Sequence, residues 1–579
     1  MTHSQKRTIL FAALALVAAA LAFWIVKVTA ASTAGAPTVS ADSADTSTSV
    51  STAASTLSAA SAEFVFSDSG IAVTGSSSSG TEINGTALTI DEAGTYTVSG
   101  ACADGSIKIK KGTTGVTLIL NGLDLTSSAT APITCAKLSE VTILAADGTE
   151  NVLTDSAQNN DGEYPENIDA ENAVIKCKDG STVTLCGAGI LTVNANGKNG
   201  IKSGGATDEA GKASLTIEEL TLTINAAVND AINAEQTLNI PSGTLTIAAA
   251  DDAIHADYEL NVGADGTDGP SITITDCCEG LEAATLNVFS GNIDITATDD
   301  CLNAANSDLS GYDFTMNISG GTIRAYTSGG DGFDSNGDLT ISGGTVVVWT
   351  ASAADNQPLD ADGTITVTGG TVLAAGGSSG MGMNLSAAQP YVTFGGSTMG
   401  GMGSFGGGKM QPPTGDRPDD MPEPPDGTQP SDRTPPDGTQ PSDRTPPDGT
   451  QQPGDMGTLP DGFGGFGGTA LVAKGSTLTI TSGSDTLFSE TAPCDVRFVF
   501  FTAPELADGE SCTLNADAET AETAEAQTGE TQTGFGGKPT GDPPARPSGE
   551  APADQPTPPD GTADAATPPQ DTTDTTTTT

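Results

Sequence analysis

From Glu63 onward the chain is written in short runs of alternating apolar and polar residues, separated by Gly, Asp and Asn. Phe64-Val65-Phe66, Ala87-Leu88-Thr89-Ile90, Tyr96-Thr97-Val98, Ile107-Lys108-Ile109 and Val116-Thr117-Leu118-Ile119-Leu120 are of this kind. Alternation with a period of two, rich in β-branched residues, predicts half-buried strands. Apolar residues at helical spacing do not recur over any length in this region, so an all-β fold is expected.

A repeat runs through the pattern. Leu286-Asn287-Val288 leads to Gly291-Asn292-Ile293-Asp294-Ile295, and Met316-Asn317-Ile318 leads to Gly320-Gly321-Thr322-Ile323. Leu339-Thr340-Ile341 leads to Gly343-Gly344-Thr345-Val346, and Ile365-Thr366-Val367 to Gly369-Gly370-Thr371-Val372. The starts at Met316, Leu339 and Ile365 are separated by 23 and 26 residues. Short strands recurring at that interval, with no helix between them, predict a solenoid in which each turn buries its apolar residues against the next. The expected fold is therefore a right-handed parallel β-helix, with the variable spacing absorbed in the turns. It spans 63–403 and is completed by a C-terminal cap over 469–516, carried by Leu478-Thr479-Ile480 and Val496-Arg497-Phe498-Val499-Phe500-Phe501.

The remaining text has no apolar face. Residues 31–62 form an Ala/Ser/Thr-rich linker, 404–468 a Pro/Gly/Asp-rich insertion with Pro-Pro-Asp-Gly-Thr-Gln recurring, and 517–579 an acidic Thr/Pro-rich tail. All three are expected to be disordered. Lys6-Arg7 precede an apolar run from Ile9 to Val26, followed by Val28 and Ala30 at small-residue cleavage spacing. A cleaved signal peptide and an uncleaved anchor both fit residues 1–30, and either exports the rest of the chain. The protein is thus expected outside the cell, secreted or held on the outer face of the membrane.

Charge narrows the partners. A formal net charge of −53 over 579 residues repels phosphate backbones and excludes a nucleic-acid binder. It equally repels acidic polymers unless a cation intervenes. Nine cysteines without CxxC spacing predict small buried core residues, with Cys494–Cys512 as the favoured bridge.

Aligning the turns brings acids into register. Asn199, Asp230, Asp252, Glu279, Asp300 and Asp331 each stand two before an apolar residue, and Lys202, Asn233, His255, Glu282, Asn303 and Asp334 each follow it. Equivalent positions in neighbouring turns lie about 4.8 Å apart, where unneutralised carboxylates raise each other's pKa. An Asn/Asp ladder accounts for the amides. For Asp230, Asp251, Asp252, Glu279, Glu282, Asp299, Asp300, Asp331 and Asp334 the expected partner is Ca2+, which takes six to eight oxygen ligands. A second column is aromatic. Strand parity points Tyr326 and Trp349 outward beside Arg324, as a stacking platform for sugar rings with a guanidinium for a uronate; packing under an insertion is the alternative. Catalytic signals are sparse. His255 is the one histidine beyond the N-terminal stretch, and Arg324, Lys198 and Lys202 are the candidate bases of a calcium-dependent lyase.

Glu63-Phe64-Val65-Phe66-Ser67-Asp68-Ser69-Gly70-Ile71, Ala93-Gly94-Thr95-Tyr96-Thr97-Val98-Ser99-Gly100, Val116-Thr117-Leu118-Ile119-Leu120-Asn121-Gly122 and Asp147-Gly148-Thr149-Glu150-Asn151 together resemble a family of secreted bacterial carbohydrate-binding proteins. The resemblance covers roughly 63–400 and 469–516. It implies a pectate-lyase-like parallel β-helix that carries calcium and binds cellulose and polygalacturonate-like acidic polymers of the plant cell wall. The long Pro/Asp insertion and the cysteines depart from the family pattern. The resulting expectation is calcium-dependent polysaccharide binding. A polysaccharide lyase on the same scaffold and a structural or adhesive surface protein are the alternatives, because fold alone does not separate them.

Overall fold

The computed structural model describes residues 62–74, 80–207, 213–307, 309, 311–351, 356–377, 385–395 and 470–530. The expected signal or anchor segment, nearly all of the linker and the Pro/Asp insertion lie outside the described residues. Among those described there are strands, turns and bends and no helix. The fold is all-β.

Parallel pairing dominates, and strands that pair are neighbours by turn, not by sequence. Thr221–Ala226 pairs with Ile190–Ala195 before it and Thr244–Ala249 after it. Ser214–Ile217 pairs with Thr182–Cys186 and Thr237–Ile240. Ile232–Ala234 pairs with Asn199–Ser203 and Ile254–Val262. Each turn thus contributes one strand to each of three parallel columns. The repeat aligned from sequence has the observed register, with Met316 opposite Leu339 and Leu339 opposite Ile365.

The cause is the alternation itself. Inward positions hold Leu, Ile and Val with essentially no exposure, such as Leu222, Ile224, Leu245 and Ile247. Outward positions hold Thr and Asn, and the asparagines bond along the stack. Asn261 Nδ2 donates to Asn239 Oδ1 at 3.0 Å, Asn287 to Asn261 at 2.9 Å and Asn317 to Asn287 at 3.0 Å. The Gly-Gly pair of the repeat has two separate reasons. A Cβ on Gly343 would lie 2.3 Å from the Ser319 carbonyl oxygen of the preceding turn, and Gly344 has φ +82°. The first position needs close approach and the second a left-handed backbone.

Both ends switch to antiparallel pairing. Ala62–Ser67 pairs with Gly70–Thr74, and Thr81–Asn84 with Ala87–Ile90. At the other end Phe498–Thr502 pairs with Thr371–Gly376 and Leu385–Phe394. A four-stranded antiparallel sheet, Asp485–Thr491, Thr477–Ser482, Ser511–Ala516 and Glu519–Glu525, follows the order given. This segment covers a flank of the stack as well as meeting its end: Leu478, Ile480 and Leu514 share a core with the outward faces of Val347, Trp349 and Leu373. Two strands, Glu519–Glu525 and Gln527–Glu530, lie in the segment assigned to the acidic tail, and the part of that segment beyond Glu530 lies outside the described residues. All nine cysteines are free, and seven are buried as expected. The expected Cys494–Cys512 bridge is not formed. Cys494 lies over Thr350, with its sulfur 3.7 Å from that carbonyl oxygen, while Cys512 sits inside the covering sheet opposite Ser482 and Ala524.

Candidate functional site

One column of short strands carries the chemistry. Ile201, Ile232, Ile254, Leu281, Leu302 and Phe333 stack in register, and Phe333 bridges onward to Leu359. The residues after them, together with Lys176 after Ile175 in the turn before, form one row: Lys176, Lys202, Asn233, His255, Glu282, Asn303 and Asp334. The row grades from basic to acidic along the stack. The second expected row is stacked as well. The Asp252, Glu279 and Asp300 carbonyls accept from Ala231, Ala253 and Gly280 in the preceding turn.

At the basic end Lys202 is committed, its Nζ 2.8 Å from Asn233 Oδ1 and 3.1 Å from Glu235 Oε1. Asn233 Nδ2 in turn donates to Asp230 Oδ2 at 2.6 Å. His255 comes next. Its Nδ1 contacts Glu282 and lies 3.7 Å from Asp252 Oδ2, while Nε2 is 2.9 Å from Asp257 Oδ1. Burial pulls the imidazole toward neutrality, but hydrogen bonds to Asp252, Asp257 and Glu282 override it and push its pKa up to about 12. His255 is therefore a fixed cation, and two acids assigned to calcium, Asp252 and Glu282, are its counter-ions.

Beyond His255 the row has carboxylates and no cationic side chain. Asn303 Nδ2 donates to Glu279 Oε2 at 2.9 Å. Asp300 Oδ1 accepts from Asp331 N at 2.6 Å, and Asp331 from Gln357 N. Asp331, Asp334 and Asp360 bring oxygens within 4.8 Å of one another. Burial pushes Asp230 to about 6, Asp300 to about 7 and Glu279 to about 8. Neighbouring carboxylates add to each shift, Asp252 for Asp230, Asp334 for Asp300 and Glu282 for Glu279. Two amide oxygens, Asn303 Oδ1 and Gln357 Oε1, are buried with no hydrogen-bond partner. Asp251 and Asp299 are exposed at the margin. Asp251 and Asp252 also approach Cys278, whose thiol is pushed up to about 11 by burial and then by Asp252. At neutral pH it stays protonated, so the site offers oxygens to a cation and no thiolate.

Sequence alignment missed Asp360, which follows Leu359 as Asp334 follows Phe333. The signal was present: Gln357 stands two before Leu359 as Asp331 does before Phe333, and Ile365 follows six residues later as Leu339 does, so the acidic column runs one turn further than the alignment carried it.

The aromatic platform is corrected. Parity does point Trp349 away from the stack, in register with Tyr326. The covering sheet then lies over it, leaving Trp349 4% exposed among Val347, Leu373 and Val392. Tyr326 is half-buried at the rim, and Arg324 pairs with Glu490. The packing alternative holds for Trp349.

The opening motifs are structural. Asn151 is fully buried, and its Oδ1 accepts from the Gly122 and Leu123 amides, each at 3.0 Å. Its Nδ2 donates to Ile190 O at 3.1 Å and Thr149 Oγ1 at 3.0 Å. One side chain thus satisfies the bulge that the Asn121-Gly122 pair creates and ties three turns together.

A family model described as carbohydrate-binding domain-containing protein matches residues 84–380, just over half of the chain. A protein of Acetivibrio thermocellus with the same description is 41% identical over 113 residues, 19% of this chain. This chain spans 38% of that relative's length. A solved structure described as the polysaccharide lyase-like protein from C. thermocellum, gadolinium derivative, is 25% identical with a TM-score of 0.34. That match covers 47% of this chain and 92% of the other.

Proposed function

This chain belongs to the carbohydrate-binding domain-containing family, and on that premise we propose that it is an exported, calcium-dependent polysaccharide-binding protein built on a right-handed parallel β-helix. The turn-by-turn parallel pairing supports the fold reading. The observation that carries the cation is the buried, unpartnered Asn303 Oδ1, flanked in its row by Glu282 and Asp334 and bonded through its amide nitrogen to Glu279. A buried carbonyl oxygen without a donor costs about 1–3 kcal/mol, and burying several carboxylates together adds to that. A hard cation with oxygen ligands relieves both at once.

The residues that would hold it are Glu279, Asp300, Asp331, Asp334 and Asp360 with Asn303. Asp230 is tied to Asn233, and Asp252 and Glu282 already serve His255. Calcium there would offer remaining coordination positions to a sugar carboxylate or hydroxyl, which lets a chain of net charge −53 approach an acidic polymer such as polygalacturonate. Of the candidate lyase bases, Arg324 and Lys202 are engaged in ion pairs and Lys198 is half-buried.

A glycan array probed with the intact protein, with and without chelator, tests the reading. Retention on uronate-containing glycans that is lost with chelator is expected. Equal retention in both conditions would remove calcium from the account, and no retention on any glycan would remove the function. Release of unsaturated uronates from polygalacturonate would establish the lyase instead.

A further inference from the structure

The covering sheet stops partway along the stack. Trp349 lies beneath it, Tyr326 one turn back is at its rim, and Thr296, in register with Tyr326, is exposed. At that step the surface forms an open, shallow cleft of about 380 Å³. Its floor is the outward row Thr273, Asp294 and Arg324, with Thr275 and Thr296 beside it. Its wall is Glu490, Thr491 and Pro493 of the covering segment.

The chemistry of this lining is that of a saccharide site. Threonine hydroxyls donate and accept, Asp294 and Glu490 accept from sugar hydroxyls, and Arg324 donates. Tyr326 supplies a half-buried ring for the C–H face of a pyranose. The Arg324–Glu490 pair links floor to wall, so the guanidinium is already matched before a ligand arrives. One guanidinium stands against two carboxylates, which makes the cleft unfavourable for a uronate. The wall lies outside residues 84–380, so the segment shared with the family supplies only the floor.

We propose that this cleft is a second binding site, separate from the acidic row, that takes an uncharged pyranose unit without any metal ion. The inference rests on the carbohydrate-binding reading and narrows it: the cleft recognises neutral glycan, whereas acidic glycan needs the carboxylate row and its cation.

The test is calorimetric titration of the full chain in chelator with neutral gluco- and xylo-oligosaccharides and with oligogalacturonate of equal length. Binding of a neutral probe and not of oligogalacturonate is expected. Thr296→Trp, an exposed position that a large side chain would fill into the cleft, should weaken that binding at least tenfold with an unchanged melting temperature. Tyr326→Ala should weaken it similarly. Unchanged affinity in both variants, or preference for oligogalacturonate in chelator, overturns the proposal. Absence of neutral binding overturns it too. If polysaccharide is then still captured with calcium present, the family reading survives; if no glycan is captured under any condition, both fall.

Discussion

Replacing Trp349 by alanine separates a packing role from a binding role. The side chain is 4% exposed and lies between the flank of the stack and the covering sheet, among Val347, Leu373 and Val392. An indole of this kind buries roughly 150–250 Å², which at about 25 cal/mol per Å² corresponds to ~4–6 kcal/mol of transfer free energy. Large-to-small substitutions of buried aromatics cost about 3–5 kcal/mol. Trp349→Ala should therefore detach or loosen the sheet at a denaturant concentration well below that which unfolds the stack. The chain has two tryptophans, Trp24 and Trp349, so the emission of Trp349 reports this event in wild type once a Trp24→Phe background removes the other. Denaturation followed by fluorescence in the wild type and by far-ultraviolet dichroism in both proteins should show covering-sheet release in the variant as an earlier dichroic step. A variant that unfolds at the wild-type midpoint, yet loses affinity for glycan, would refute the packing account and restore an exposed platform.

Other outcomes follow from the same geometry. In chelator, stability should fall as pH rises from about 4.5 to about 8, because the folded state holds protons on Glu279 and Asp300 that the unfolded chain has released; melting curves across that range check it, and a rising trend contradicts it. Calcium should raise the melting temperature at pH 8 and flatten that slope, since a ligand of the native state stabilises by mass action, and the double variant Asp334→Asn with Asp360→Asn should abolish most of the gain. Asn151→Ala should cost about 2–4 kcal/mol by stranding the Leu123 amide and the Ile190 carbonyl, measured by denaturant unfolding with glycan binding per folded molecule unchanged.

How far the sequence could be read depended on the range of the interactions involved. Turn register was legible because alternation and the Gly-Gly pair are local demands: Ile201, Ile232, Ile254 and Leu281 could be aligned by eye and do stack. The acidic row followed from that alignment. What each acid does was not legible, since His255 takes Asp252 from its own turn and Glu282 from the next, leaving a smaller set for a cation. Trp349 shows the other limit. Parity gave the direction of its side chain correctly, but the sheet that covers it begins more than a hundred residues later, at Thr477, across a segment with no apolar period. Likewise the expected Cys494–Cys512 bridge fails because the fold puts the two thiols in different surroundings.

The most direct test of the central claim is the affinity of the intact chain for polygalacturonate as free calcium is titrated. Affinity should be negligible in chelator, rise in step with calcium bound to the protein, and fail to rise in the Asp334→Asn, Asp360→Asn variant. Polygalacturonate binding that is independent of calcium, or that the double variant retains in full, would contradict it.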